Sequence, residues 1–160
     1  MSDRAHVITV SDGVSAGTRI DASGPALVEM LEKAGMEVSG PEVVPDEHAL
    51  ITDAIITAVV AGADVVVTTG GTGLGPRDVT PQATSMLIDY EVPGIVELMR
   101  RAGEASTPMA ALSRGVAGVR GHALILNVPG SKKGATESLA ATMPVLGHAI
   151  QLLHGQTKHE

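Results

Sequence analysis

The chain is 160 residues long, the size of one domain able to bury its own core; it carries 11 Lys and Arg against 18 Asp and Glu, and the formal charge of -7 argues against nucleic acid as a partner. Hydrophobic residues make up 44% of the chain but aromatics only 1%, the single Tyr90, so the core is aliphatic and ligand classes read by stacking on aromatic faces are disfavoured. The absence of cysteine excludes disulfides, thiolate nucleophiles, iron–sulfur clusters and thiolate zinc sites, and fits a reducing compartment.

The N-terminus, Met1 to His6, lacks a basic segment followed by an apolar run. Gly62, Asp64 and Asn127 break the longest apolar stretches before they reach the ~18 residues of a membrane span, so a soluble, cytoplasmic protein with no membrane partner is expected. Ala5–Val10 reads as a short buried strand, followed by a loop rich in Ser, Asp and Gly that runs to Ser23-Gly24-Pro25. Leu27, Met30, Leu31 and Ala34 then fall at helical spacing, with Gly35 as the stop. Met36–Val44 reads as a second strand. Pro45-Asp46 opens a helix whose apolar face is Leu50, Ile51, Ala54, Ile55, Ala58 and Val59.

The β-branched run Ala63–Thr69 stops at a glycine loop, after which Thr80-Pro81 reads as an N-cap with proline at the first helical position. Ile95, Leu98, Met99 and Ala102 repeat the helical spacing. Ser113–Arg120 is punctuated by glycine and predicts a strand or hairpin edge leading into the strand Ala123–Val128. Leu139, Met143, Leu146, Ile150 and Leu153 mark a last apolar stripe, with Pro144 expected to kink that helix or divide it. Strands apolar on both faces that alternate with helices predict an α/β fold, a three-layer α/β/α sandwich with a mostly parallel sheet. No composition shift, linker or repeat divides the chain, so residues 1–160 are expected to form one domain. Ligands of such a fold lie outside the carboxyl ends of the strands, where the segments after Val10, Val44, Thr69 and Val128 fall.

The sharpest local feature is Thr68-Thr69-Gly70-Gly71-Thr72-Gly73-Leu74-Gly75. Four glycines in six residues let successive backbone N–H groups face an anion, which makes the loop a phosphate cradle or, more plainly, a tight strand-to-helix crossover. No Lys-Ser/Thr pair follows, and the glycine spacing differs from the dinucleotide fingerprint. Asp78, close behind it, reads as a Mg²⁺ ligand beside a phosphate or as a charge favoured by the following helix N-terminus. Arg77 reads as a phosphate clamp or, preferably, as a solvated partner of Asp78. Asp46 ends a strand on the same predicted edge; alone it reads as a helix N-cap, but with Asp78 and the glycine loop it makes metal-assisted phosphoryl or nucleotidyl transfer chemically reasonable. Ser11-Asp12-Gly13 offers hydrogen bonds to a heterocycle or forms a turn. Asn127-Val128-Pro129-Gly130-Ser131-Lys132-Lys133 places a hydroxyl and two cations at the start of the last helix. The six histidines assemble no metal motif: His148 and His154 are six apart, and His6 and His122 read as ordinary packed or surface residues. Without a Gly-x-Ser-x-Gly elbow, a serine hydrolase is disfavoured.

Taken in order, Thr9-Val10-Ser11-Asp12, Asp21-Ala22-Ser23-Gly24-Pro25, Val44-Pro45-Asp46, Gly70-Gly71-Thr72-Gly73 with Arg77-Asp78-Val79-Thr80-Pro81, and Asn127-Val128-Pro129-Gly130 resemble the MogA/MoaB family of molybdenum-cofactor biosynthesis proteins over nearly the whole chain. The resemblance implies a molybdopterin-binding domain that adenylylates molybdopterin with ATP and Mg²⁺ and releases pyrophosphate. By motif it makes Asp46 and Asp78 the catalytic, metal-handling carboxylates and gives Gly70, Gly71, Thr72, Gly73 and Ser131 to the nucleotide. Ser11, Asp12, Thr69, Pro129 and Gly130 complete the substrate pocket. A homotrimer or homohexamer is also implied. Gln82 departs from the acidic residue that many relatives carry after Thr-Pro. Two other functions stay open: a non-catalytic molybdopterin- or nucleotide-binding module of MoaB type, and a nucleotide-processing hydrolase related to the competence-damage proteins, to which Arg77–Pro81 is less well suited.

Overall fold

A computed structural model of the chain describes residues 1–157. The elements are β1 (Arg4–Val10), a one-turn α1 (Asp12–Ser15), α2 (Ser23–Lys33), β2 (Glu37–Val44), α3 (His48–Val60), β3 (Val65–Thr69), α4 (Thr80–Leu87), β4 (Tyr90–Glu91), α5 (Pro93–Glu104), a 3-10 turn (Pro108–Leu112), β5 (Ala117–Arg120), β6 (Ala123–Val128) and α6 (Lys132–Leu153). Strands β2, β1, β3 and β6 lie side by side and parallel, while β5 and β4 extend the sheet antiparallel, in the order β2-β1-β3-β6-β5-β4. The expected sandwich is therefore present as a mixed, mostly parallel sheet between two helical layers.

Strand alternation divides the core. Val65, Val67, Leu124 and Leu126 face α2, α5 and α6, where they meet Leu27, Leu31, Ile95, Met99, Leu139 and Ile150. Val66 and Ile125 face the other way, against Ile51, Ile55 and Ala58 of α3 and Ala83 and Leu87 of α4. Each buried Leu, Ile or Val contributes about 1.5–3 kcal/mol, and a sheet covered on both faces can be built from aliphatic residues alone because β-branched side chains fill its pleats. The buried amide is satisfied: Asn127 donates from Nδ2 to Thr68 Oγ1 (2.8 Å) and Thr84 Oγ1 (2.9 Å) and accepts from Val116 N (3.1 Å).

Several expectations change. The segment after β1 contains the single turn α1, capped by Ser11, whose Oγ accepts from Val14 N at 3.1 Å. Helix α3 starts at His48, two residues later than expected, and Asp46 is not its cap; its carboxylate is used elsewhere. Thr80 is not an N-cap either: it is the first residue of α4, fully buried, and its hydroxyl donates 2.9 Å to the Gly70 carbonyl. Pro144 does not divide the last helix, which runs as one element of 22 residues. Buried Leu139 and Thr142 before the proline and Leu146 and Ile150 after it hold both halves on the sheet, outweighing one lost backbone hydrogen bond.

From β1 the chain crosses first to β2 on one side and later to β3 on the other. The carboxyl ends of β1 and β3 thus flank a switch point where neighbouring loops diverge and leave a crevice.

Candidate active site

That crevice is a cleft of about 540 Å³. Ser11 lines it from the end of β1, Asp46 from the end of β2, Thr69 to Gly73 and Asp78 from the loop after β3, and Gly130 and Ser131 from the start of α6. Residues from four separate motifs therefore converge. Pro129 and Asp12 do not line it; Pro129 lies on a neighbouring cavity, and Asp12 is turned toward Arg77.

The glycine loop is shaped by close approach. Gly70 has φ 102°, and a Cβ there would collide with the Val10 carbonyl oxygen of the neighbouring strand. Gly71 has φ 69°; a Cβ would strike Thr80 Oγ1 and lie 3.1 Å from Asp46 Oδ1. Only glycine combines that backbone with that space. Gly70 N–H donates back to Val128 O at 3.1 Å, so the bend is tied to β6. Beyond it, and among the described residues, the N–H groups of Gly71, Thr72, Gly73 and Leu74 have no protein acceptor. Unpaired amides in succession form an anion-binding concavity.

The two aspartates are held differently. Asp46 Oδ2 accepts from Asp12 N (2.8 Å), and Asp12 Oδ1 accepts from Asp46 N (3.0 Å), a reciprocal clasp between the ends of β1 and β2. Arg77 completes the arrangement, donating Nε to Asp12 Oδ2 and Nη2 to Asp12 Oδ1, both at 2.9 Å. Arg77 is thus not the partner of Asp78, as the sequence suggested. A forked guanidinium matches a carboxylate bidentately, and Asp12 presents both oxygens while Asp78 is engaged with its own loop. Asp78 Oδ2 accepts from Gly75 N at 2.8 Å and lies over Gly73.

Charge follows this geometry. The hydrogen bonds from Arg77, then that from the Asp46 amide, hold the Asp12 carboxyl below the usual carboxylate range. Burial pushes the Asp46 carboxyl up, and the negative charges of Asp12 and Asp78 add to that. An ionised Asp46 is therefore a carboxylate short of positive charge. Arg19 and Lys132 are the cations lining the cleft among the described residues.

Three features had no role assigned from the sequence. Asp21 ties the loop before α2, accepting from Thr9 Oγ1 (2.7 Å) and Gly24 N (2.9 Å). Arg114, in the segment before β5, reaches back to the glycine loop. An apolar cavity of about 400 Å³ opens between α5, the 3-10 turn and α6, walled by Val96, Met99, Met109, Ala110 and Leu112, and it shares Thr72, Gly73 and Ser131 with the cleft. The run Pro108–Leu112 has no helical period, so only the packing of three distant elements reveals this wall. Thr69 Oγ1 donates to the Pro129 carbonyl (2.8 Å) and lies 3.0 Å from Ser23 Oγ, which fixes the ridge at the back of the cleft. His6 is spent on Ser39 and Glu42, and His122 on the Leu153 carbonyl.

A family model described as a probable molybdopterin binding domain matches residues 6–148. The chain is 39% identical over 155 residues to a molybdopterin adenylyltransferase of Escherichia coli, covering 95% of this chain and 78% of that protein. It is 40% identical over 151 residues to a molybdenum cofactor biosynthesis bifunctional protein of Synechococcus elongatus, covering 94% of this chain but 47% of the relative; the chain spans about half the length of such bifunctional relatives. Among solved structures, the molybdopterin biosynthesis enzyme MoaB of Thermus thermophilus superposes with a TM-score of 0.89 at 53% identity, over 96% of this chain and 97% of that one.

Proposed function

Because the chain belongs to the probable molybdopterin binding domain family, we propose that it is a molybdopterin adenylyltransferase, with residues 1–160 acting as one domain that transfers adenylate from ATP to molybdopterin and releases pyrophosphate. The observation that carries this reading is the run of unpaired amides from Gly71 to Leu74 in a loop that borders the same cleft as Asp46 and Asp78. A phosphate anion satisfies those amides, and two carboxylates beside it suit a phosphoryl centre neutralised by a cation.

In the reaction the terminal phosphate of molybdopterin attacks the α-phosphorus of ATP. The new P–O bond forms as the bond to the bridging α,β-oxygen breaks, and that electron pair leaves with pyrophosphate. A phosphate nucleophile is already ionised near neutral pH, so no side chain has to remove a proton, consistent with a cleft that no histidine lines among the described residues. The protein's work is positioning and charge. Gly71, Thr72 and Gly73 hold the nucleotide phosphates, while Gly70, whose own N–H is bonded back to Val128 O, shapes the bend; Ser131, Arg19 and Lys132, which line the same cleft, receive the leaving group. Ser11, Thr69 and Gly130 shape the walls. Asp12 acts through Asp46, whose carboxylate it holds. The apolar cavity beside the cleft suits the flat pterin, with Met99 and Met109 in place of the aromatic residues the chain lacks.

The residues fit Mg²⁺. Among the described residues no three His, Cys, Asp or Glu converge on one point, but Mg²⁺ keeps its waters and takes one or two carboxylates plus substrate phosphates. Asp46 and Asp78 are that pair, and they lie close enough that the Asp78 charge, after burial, helps push the Asp46 carboxyl up. When bound, the ion neutralises charge on the transferring phosphates. The reading includes a homotrimer or homohexamer, supported by exposed Leu74 and Met86. It also includes a cytoplasmic location; no described helix is long and apolar enough to cross a membrane.

Incubating the purified chain with molybdopterin, ATP and Mg²⁺ tests the proposal. Stoichiometric release of pyrophosphate with a product heavier by one adenylyl group is expected. Binding without pyrophosphate would identify a carrier module instead, and nucleotide cleavage without adenylylated pterin a hydrolase; either result refutes the transferase.

A further inference from the structure

Arg114 stands behind the glycine loop, outside the cleft. It belongs to the segment that enters β5, and that segment is anchored to the sheet core: Val116 N donates to Asn127 Oδ1 (3.1 Å) and Asn127 N donates to Val116 O (2.9 Å). At Gly115 a Cβ would come 2.7 Å from the Asn127 carbonyl, so the strand and the segment lie against each other. From this fixed base Arg114 gathers three carbonyls of the loop. Its backbone N–H donates to Thr72 O, its Nε to Gly73 O and its Nη2 to Asp78 O, each at 2.8 Å. Its Nη1 approaches Gln82 Oε1 at 3.4 Å.

Peptide geometry turns these bonds into a statement about the other side of the loop. In a trans peptide the carbonyl of one residue and the N–H of the next point in opposite directions. With Thr72 O and Gly73 O drawn toward Arg114, the N–H groups of Gly73 and Leu74 are turned away from it, and these are two of the four amides without a protein acceptor. The same guanidinium holds the Asp78 carbonyl, so one side chain spans the turn that carries the second carboxylate. A glycine-rich loop has many conformations, and a loop left free would lose order on binding an anion. A planar fork with fixed donors selects one of them.

We propose that Arg114 is a positioning residue for nucleotide binding: with its backbone N–H on Thr72 O, its guanidinium bonds the carbonyls of Gly73 and Asp78 and so keeps the loop amides turned toward the phosphates and the Asp78 side chain at its post. It touches no substrate. The inference rests on the adenylyltransferase reading of the cleft and adds a residue that no motif in the loop itself contains.

The test compares wild type with Arg114→Lys and Arg114→Ala, measuring turnover with each substrate varied and binding of inorganic tripolyphosphate by calorimetry without metal. Arg114→Ala is expected to raise the KM for ATP and weaken tripolyphosphate binding by about 10–100-fold, the usual cost of losing a residue that orients a binding group, with the KM for molybdopterin little changed. Added guanidinium ion restores ATP affinity to Arg114→Ala, whereas Arg114→Lys, which keeps the charge but not the fork, recovers only part of it. Unchanged tripolyphosphate binding in a folded Arg114→Ala overturns the inference, and so does an equal rise in both KM values without guanidinium rescue. Should Arg114→Ala not fold, the Lys variant decides: wild-type ATP affinity there also overturns it. Wild type that binds tripolyphosphate but forms no adenylylated product refutes the enzyme reading instead, separately from the role of Arg114.

Discussion

Asp46→Asn separates function from stability in opposite directions. The side chain keeps its shape, and an amide oxygen can still accept the 2.8 Å bond from Asp12 N–H, so the clasp between β1 and β2 survives. What disappears is a negative charge that burial and the neighbouring Asp12 and Asp78 disfavour. Because the folded state raises this carboxyl above its ordinary value, the folded chain binds that proton more tightly than the unfolded chain. The ionised carboxylate therefore lowers stability progressively as pH rises from about 4 through the folded value, and asparagine is free of that loss. For partly exposed charges the effect is at most about 1 kcal/mol, which in a chain of this size moves Tm by about 2–4 °C. Turnover moves the other way: losing one preorganised group at a phosphoryl centre costs about 10²–10³ in rate, or roughly 2.7–4 kcal/mol. Calorimetry at pH 4.5 and pH 7.5 beside a pyrophosphate-release assay reads both. The expected result is a variant at least as stable as wild type at pH 7.5, with a smaller advantage at pH 4.5, and nearly inactive. A lower Tm at pH 7.5, or turnover within threefold of wild type, would refute the reasoning.

Asp78→Ala loses only the bond from Gly75 N–H, so a fold within about 1 kcal/mol of wild type and abolished turnover are expected from melting and activity measurements. Gly71→Ala forces a side chain into φ 69° and onto Thr80 Oγ1; a loss of at least about 1–2 kcal/mol should appear in denaturant unfolding, together with weaker ATP binding. Arg77→Ala removes the main cause of the depressed Asp12 carboxyl. In wild type that depression contributes stability above the ordinary carboxylate range, lost as pH falls through the lower folded value. Acid unfolding of Arg77→Ala, followed by circular dichroism, should accordingly begin at higher pH and show a shallower dependence below pH 4.

The element sequence was legible because its signals are local. The strand Ala123–Val128 matches its expected bounds, and Leu27 and Leu31 or Ile51 and Ile55 declare a helical face by spacing alone. Cap assignments failed where tertiary partners competed for the same group. Thr80 has the chemistry of an N-cap but gives its hydroxyl to Gly70, and Asp46 has the chemistry of a cap but gives its carboxylate to Asp12. Spacing within one segment carries no trace of either competitor.

The sequence alone determined that an aliphatic chain of alternating strands and helices must form a layered sheet, that its glycine loop and Asp46 fall at strand ends, and that Asp78 follows that loop. Periodicity, turn residues and composition act over a few neighbours, so they can be read without coordinates. Only the tertiary structure decided which charges pair, since Arg77 meets Asp12 across 65 positions. It likewise decided that Arg114 braces a loop about 40 positions earlier, and that α5, the 3-10 turn and α6 enclose an apolar cavity beside the cleft. The physical reason is that side-chain pairing and enclosed volume depend on the distance between elements after packing, a quantity that strand order and helix placement set and local sequence does not record.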